Sequence, residues 1–221
     1  MYYEKKAEPQ GGAEMIDLPD CNEKMMQVTD ISGRIFTGIA ETEPSDYCFH
    51  EYGRDEEAVK VCNYIIYSSD IREIRLLPEL IIIRANETWQ QAGAYYVRIQ
   101  AMAKKHHIPL WAEFDEHDGP DTKYIVVTDH DFPIATARMY PIDERSMMIG
   151  RVVVLPEYRH QGIGTMVVDA CEKWAEDLHY LKTVVESRDN KIEFYEELGY
   201  EVTGKMVNGE TFRCIRMEKT L

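Results

Sequence analysis

The sequence predicts a chain of mixed α/β structure in two parts: a short all-β segment, then a larger α+β domain. Three observations support this. Residues 25 to 77 carry short β-branched and aromatic runs broken by turn residues, with little helical spacing. From residue 79 strands alternate with helices, the clearest of them over Gly164 to Leu178. The last stretch places two strand-like runs around Val207-Asn208-Gly209, and Asn-Gly is the strongest short hairpin signal. A length of 221 residues accommodates two domains.

Residues 1 to 24 contain Pro9, Gly11, Gly12 and Pro19 and little periodicity, which reads as a mobile lead-in. MQVTDISGRIFTGIAETE predicts two strands around Ser32-Gly33, and the acidic stretch from Ser45 to Glu57 predicts a loop. VKVCNYIIYSSDIREIRLL returns to strand, broken at Ser68-Ser69-Asp70. Pro78 marks the boundary, giving an all-β domain at 25–77 and a second domain at 79–221.

In the second domain LIIIR is a short apolar strand, and Asn86 is placed to cap a helix. That helix is expected to bury Ala92, Tyr96, Ile99 and Ala103. IPLWAEFDEHDGPD reads as an irregular acidic segment. YIVVTD and PIATARMY pair around His130-Asp131, and MMIGRVVVL is a further strand. The next helix carries Gly164, Val167, Val168, Cys171, Trp174, Ala175 and Leu178 on one face. Asp169, Glu172, Lys173, Glu176 and Asp177 lie on the other, expected to face solvent. LKTVVES is a strand, and IEFYEEL is a short helix stopped by Gly199.

Composition excludes several classes. The net charge of -15 argues against nucleic acid as the main partner and is compatible with a cationic small molecule or a basic peptide. Residues 1–78 alone hold 8 Lys and Arg against 16 Asp and Glu. No apolar run approaches the roughly 18 residues a membrane helix needs, and the first residues lack the apolar core of a signal peptide, so no membrane partner and a cytoplasmic location are expected. The five cysteines form no CxxC pair and read as reduced structural thiols. His106, His107, Glu113, Asp115 and His117 match no standard ligand spacing, so no metal is expected.

The stretch RHQGIGT, Arg159 to Thr165, carries the chemistry. A loop that opens a helix presents unpaired N–H groups, and the helix dipole adds partial positive charge there. Phosphate is the usual guest of such a site. Gly162 and Gly164 leave room for a bulky pyrophosphate, and Arg159 can add a charged contact. No GxxxxGK[ST] is present, and a dinucleotide fingerprint would need a glycine at Val167.

RVVVLPEYRHQGIGTMVVDACEKWA closely resembles the acetyl-CoA-binding motif of the GNAT superfamily of N-acetyltransferases, (Arg/Gln)-x-x-Gly-x-(Gly/Ala) between a strand and a helix. Phe194-Tyr195-Glu196-Glu197-Leu198-Gly199-Tyr200 resembles a second family element. The likeness covers about residues 79 to 221, and IPLWAEFDEHDG looks like a bacterial branch often called ElaA-like. Residues 25–77 loosely resemble the Sm-like barrel family in strand order. EPSDYCF and YSSDI stand where its RNA-reading loops would be and match neither, so that segment is expected to serve structure or interaction.

The GNAT resemblance implies a mostly antiparallel sheet flanked by helices, with acetyl-CoA as co-substrate. It implies a pyrophosphate held by backbone amides of Gln161, Gly162, Ile163, Gly164 and Thr165, and pantetheine lying beside Val152, Val153 and Val154. A backbone N–H near Val153 or Val154 would serve the oxyanion. Tyr195 would protonate the leaving thiolate, and Glu186 is the first candidate for the base, with a water chain equally open. Many relatives carry Asn seven residues before the tyrosine. Arg188 stands there in this chain, and Asn190 is the nearest asparagine for that pantetheine contact. The acceptor is an unidentified primary amine, for which the acidic balance favours a cation, and a homodimer is compatible with the family. The competing function is a non-catalytic CoA-binding or sensing module that uses the N-terminal barrel to contact a partner.

Overall fold

The structure is a computed structural model; it describes residues 18, 21–119, 122–208 and 213–221. The lead-in therefore lies almost wholly outside the described residues, as does Gly209 of the terminal hairpin.

The first part is a five-stranded antiparallel sheet. Its strands are β1 (Lys24–Asp30), β2 (Ile35–Glu43), β3 (Ala58–Val61), β4 (Tyr64–Tyr67) and β5 (Ile71–Leu76), in the order β4-β3-β2-β1-β5. A 3₁₀ turn at Ser68–Asp70 forms the break between the last two. No ladder joins β4 to β5 among the described residues, so by its pairing the sheet is open. The acidic stretch expected to be loop begins with a helix, α1 (Ser45–Tyr52). Asp46 lies in its first turn, where the helix dipole favours an anion, and Gly53 closes it in the left-handed conformation at φ 73°. Cys48 is the residue α1 buries, too sparse an apolar pattern to register as helical spacing.

The second part is a seven-stranded sheet of β6 (Leu80–Ala85), β7 (Lys123–Asp129), β8 (Phe132–Pro141), β9 (Ser146–Val154), β10 (Lys182–Arg188), β11 (Glu201–Asn208) and β12 (Arg213–Thr220). The order is β11-β12-β10-β9-β8-β7-β6, and β9 with β10 is its one parallel pair. The two-residue turn between β7 and β8 puts both His130 and Asp131 at positive φ, as a tight hairpin requires.

Alternating strand residues divide between the two faces. On one face Ile125, Val127, Ala137, Met139, Met147, Ile149 and Val185 share a core with α4 (Ile163–Asp177). On the other, Tyr124, Val126 and Val153 pack against α2 (Thr88–Arg98) and the π-helical turn Ile99–Lys104 that continues it. α3 (Leu110–Glu113) comes next, and α5 (Ile192–Glu197) connects β10 to β11.

Three expectations change. Glu87, not Asn86, occupies the start of α2; the Gln90 side-chain oxygen accepts from the N–H groups of Asn86 (2.7 Å) and Glu87 (2.9 Å). The buried face of α2 holds Ala94, Val97 and Arg98, while Ala92 and Tyr96 are exposed. A buried arginine inverts the apolar pattern, so the phase read from hydrophobicity alone is shifted. Finally, Asp169 and Glu172 of α4 are buried rather than solvated, because the N-terminal sheet covers that face of the helix. Lys173 holds Asp169 at 3.0 Å and Lys219 holds Glu172 at 2.6 Å. Burial raises the Glu172 carboxyl and Lys219 opposes the rise. A small cavity between the two parts is lined by Cys62, Asn63, Tyr64, Thr165, Asp169 and Glu172.

Candidate active site

The sheet opens beside its parallel pair. β9 and β10 pair from Ser146↔Lys182 to Ile149↔Val185 and then part, although β9 runs on to Val154 and β10 to Arg188. The cause lies in β9. Arg151 adopts φ 51°, and the β8–β9 register shifts opposite it. A bulge of this kind bends the strand and re-aims the residues beyond it. Past it, Val153 and Val154 resume pairing with Thr136 and Ala135 of β8. The Leu155 N–H donates to Ile134 O at 2.9 Å. Strand alternation then turns the backbone groups of Val152 and Val154 toward the gap. Val154 O is met there by Arg159 Nε at 3.0 Å. Arg159 thus braces the loop against the strand it leaves.

The loop ends at α4. Gly162 stands at the N-cap with φ 76°, and no side chain caps the first turn, which holds no acidic residue. The N–H groups of Ile163, Gly164 and Thr165 lie in that first turn, where no intrahelical acceptor exists for them. This is a fit for an anion. Gly164 is not crowded, since a Cβ there would meet Phe194 at an ordinary 3.6 Å.

Gly162 has a different reason to be glycine from the one its motif suggests. A Cβ on it would lie 2.6 Å from Thr37 N, 2.9 Å from Ile35 O and 3.1 Å from Phe36 C, all backbone of β2. Thr37 Oγ1 donates to Gln161 O at 2.5 Å. The N-terminal sheet therefore rests directly on the glycine loop. Sequence reading could not find this, because the partner strand lies more than a hundred residues away, as the 124-residue separation of Thr37 and Gln161 shows.

Tyr195 on α5 packs edge-on to Phe194 (5.0 Å between centroids) and Tyr200 (5.6 Å). Burial pushes its hydroxyl well above the usual phenol range, with Cys171 and Cys214 adding to the shift. Glu186 on β10 is held by Arg216 Nη2 at 2.9 Å. Asn190 is exposed in the 3₁₀ turn that precedes α5.

The segment expected to form an acidic wall is neutralised. Arg98 is fully buried; its Nε donates to Glu113 Oε1 at 2.8 Å, and its two Nη groups reach Asp118. Arg138 binds Asp115 at 2.6 Å and Asp118 at 2.7 Å, and Arg151 binds Asp115 at 3.0 Å. Burial alone would raise the Asp118 carboxyl, yet Arg98 and the Tyr124 hydroxyl bring it down to about 2. Glu113 belongs to this network, and no group of three or more His, Cys, Asp and Glu side chains suited to a metal occurs among the described residues.

An uncapped helix start beside two parted parallel strands offers a fit for a phosphate-bearing carrier. Residues 85–200 match the profile described as the acetyltransferase (GNAT) family, just over half of the chain, and the chain belongs to that family. It is therefore an acetyltransferase that uses acetyl-CoA. It is 29% identical over 121 residues to the uncharacterized N-acetyltransferase YjcF of Bacillus subtilis, across 55% of this chain and 84% of that one. Among solved structures, a protein from Lactobacillus plantarum superposes with a TM-score of 0.61 at 29% identity, covering 64% of this chain and 98% of its own. Escherichia coli ElaA shares the fold, with a TM-score of 0.54 at 17% identity over 64% of this chain and 98% of its own. The matched profile does not include the N-terminal sheet.

Proposed function

We propose that the protein transfers an acetyl group directly from acetyl-CoA to a primary amine, at the gap between β9 and β10. The carrying observation is the parallel pair that stops at Ile149↔Val185 next to the uncapped start of α4. Acetyl-CoA supplies the activated acetyl thioester. The amides of Gln161 to Thr165 hold its pyrophosphate, and pantetheine pairs with the backbone of Val152 and with the N–H of Val154, whose carbonyl Arg159 already holds, with Val153 keyed to β8 between them. Asn190, exposed in the turn before α5, is the proposed further contact for pantetheine.

Tyr195, a phenol already protonated at neutral pH and pushed further up by its burial, acts as the acid for the sulfur. The amine nitrogen forms the new C–N bond as the C–S bond breaks. Glu186, fixed by Arg216, takes the proton the amine must lose, directly or through water. The N-terminal sheet supports the loop through Thr37 and Gly162, and any likeness to an Sm-type barrel serves that structural role.

Gly164→Asp tests the site. A Cβ there meets Phe194 at an ordinary 3.6 Å and an acidic residue in the first turn favours the helix, so the variant folds, but its charge opposes a pyrophosphate. Acetyl-CoA affinity measured by calorimetry is expected to fall at least tenfold. Unchanged affinity removes the proposed cradle.

A further inference from the structure

Away from the β9–β10 gap, a cavity of about 180 Å³ lies between α2 and the β7–β8 hairpin. Its walls are Trp89 and Tyr96 of α2 with Val126 and Pro133 of the sheet, and its hairpin end holds Thr128 and Asp131. No residue of β9, β10 or α4 lines it among the described residues. Val97, the residue after Tyr96, packs with Val153, so the end of α2 covers β9 and the cavity is a separate place in the fold. Loose packing does not explain the space. Gly93 brings α2 hard against the hairpin, since a Cβ there would stand 3.3 Å from Pro133 Cβ, and Tyr96 meets Phe132 edge-on with 5.2 Å between centroids.

The hairpin end of the cavity holds polar groups that the chain leaves unpaired. Thr128 is 2% exposed, and its Oγ1 has no hydrogen-bond partner among the described residues. A buried hydroxyl is normally satisfied by something. Asp131 is the one charged residue that lines the cavity, and no hydrogen bond or ion pair holds its carboxylate among the described residues. Charged neighbours are engaged elsewhere. His130 Nδ1 lies 2.7 Å from Asp129 Oδ1, Tyr158 donates to the other oxygen of Asp129 at 2.8 Å, and Glu87 accepts from Trp89 Nε1 at 2.7 Å.

We propose that this cavity is a second ligand site, for a primary ammonium that carries one aromatic ring. It lies outside the acetyl-transfer site and does not depend on that reading. Size selects the ring: an apolar cavity of roughly 150 Å³ takes a benzene. Trp89, Tyr96 and Val126 give the ring apolar and aromatic neighbours, and the ammonium donates its N–H groups to Thr128 Oγ1 and the Asp131 carboxylate. Aromatic faces beside a carboxylate favour a cation and repel an anion. The net charge of -15 steers in the same sense.

Phenethylamine is the probe, with ethylamine lacking the ring and 3-phenylpropionate reversing the charge. Binding is measured by calorimetry on the full chain with CoA present. Phenethylamine is expected to bind with a Kd of about 1 mM or below, and about tenfold or more tighter than either control. Thr128→Val and Asp131→Asn should each weaken it about tenfold. Ala92→Leu, which puts a good helix former with a bulky side chain on the cavity wall, should abolish it. Asparagine tolerates the left-handed backbone of residue 131, φ 65°, so Asp131→Asn folds. Thr128→Val removes a hydroxyl that nothing in the chain holds, so its melting temperature should stay level or rise, and a fall would show that the protein itself uses the hydroxyl and overturn its role as a ligand contact. No binding at about 10 mM overturns the proposal. Unchanged affinity in Ala92→Leu, or in both polar variants, does the same, because the probe then sits elsewhere.

Discussion

Replacing Gly162 with alanine probes the contact between the two parts of the chain. The residue sits at φ 76°, where a Cβ costs about 1–2 kcal/mol. The new methyl would stand 2.6 Å from Thr37 N and 2.9 Å from Ile35 O, closer than real Cβ contacts allow, and both obstacles are backbone. Strand β2 or the loop must yield, and the Thr37–Gln161 hydrogen bond is lost, for about 1 kcal/mol more. The sum is about 2–3 kcal/mol, which at roughly 2–4 °C per kcal/mol for a chain of this size lowers the melting temperature by about 4–12 °C. Gly164→Ala is the control. Its Cβ would meet Phe194 at 3.6 Å, and alanine is the better helix former by up to about 1 kcal/mol. Thermal and urea unfolding of both variants decides the matter. Equal midpoints for Gly162→Ala and the wild type would refute the close approach of β2.

Three further outcomes are expected. Tyr195→Phe should lower turnover by about a hundredfold or more while acetyl-CoA affinity stays near wild type, seen as a kcat effect in a thiol-release assay. Arg98→Met takes the short ion pair from buried Glu113 and leaves Asp118 only Arg138 and Tyr124, and urea denaturation should show a loss of about 3–5 kcal/mol. Asp118 is depressed in the folded state from an ordinary 3.8 to about 2. Its stabilisation is therefore complete above pH 4 and is lost as pH falls toward 2, a contribution of about 2 kcal/mol. Asp118→Asn should flatten the pH dependence of stability in that window, and a slope equal to wild type would contradict the assignment.

Much of this architecture was legible because periodicity and turn chemistry are local. The strands on either side of Ser32-Gly33, the helix after Gly164 and the His130-Asp131 turn are all dictated by neighbours in sequence. The features that escaped depend on distant partners. Arg98 reads as polar surface until Glu113 and Asp118 are placed around it. Asp169 and Glu172 read as a solvated face until the N-terminal sheet is laid over them. The stretch Ser45–Tyr52 offers one buried residue, so its helix has no hydrophobic signature to read. In the site, the glycine loop and Tyr195 are visible as motif. The network of Arg98, Arg138 and Arg151 around Asp115 and Asp118 is not, because those arginines come from α2, β8 and β9 and no spacing links them.

The seat of β2 on the glycine loop has a thermodynamic corollary. If the loop adjusts when it takes up a pyrophosphate, the adjustment is felt by Thr37, and linkage makes the influence mutual. Whatever loosens the N-terminal sheet then weakens the cofactor, and the cofactor in turn protects the sheet from unfolding. A chain cut to residues 79–221 would keep every motif of the acetyltransferase and lose the surface its loop leans on. Its affinity for acetyl-CoA would describe a different molecule.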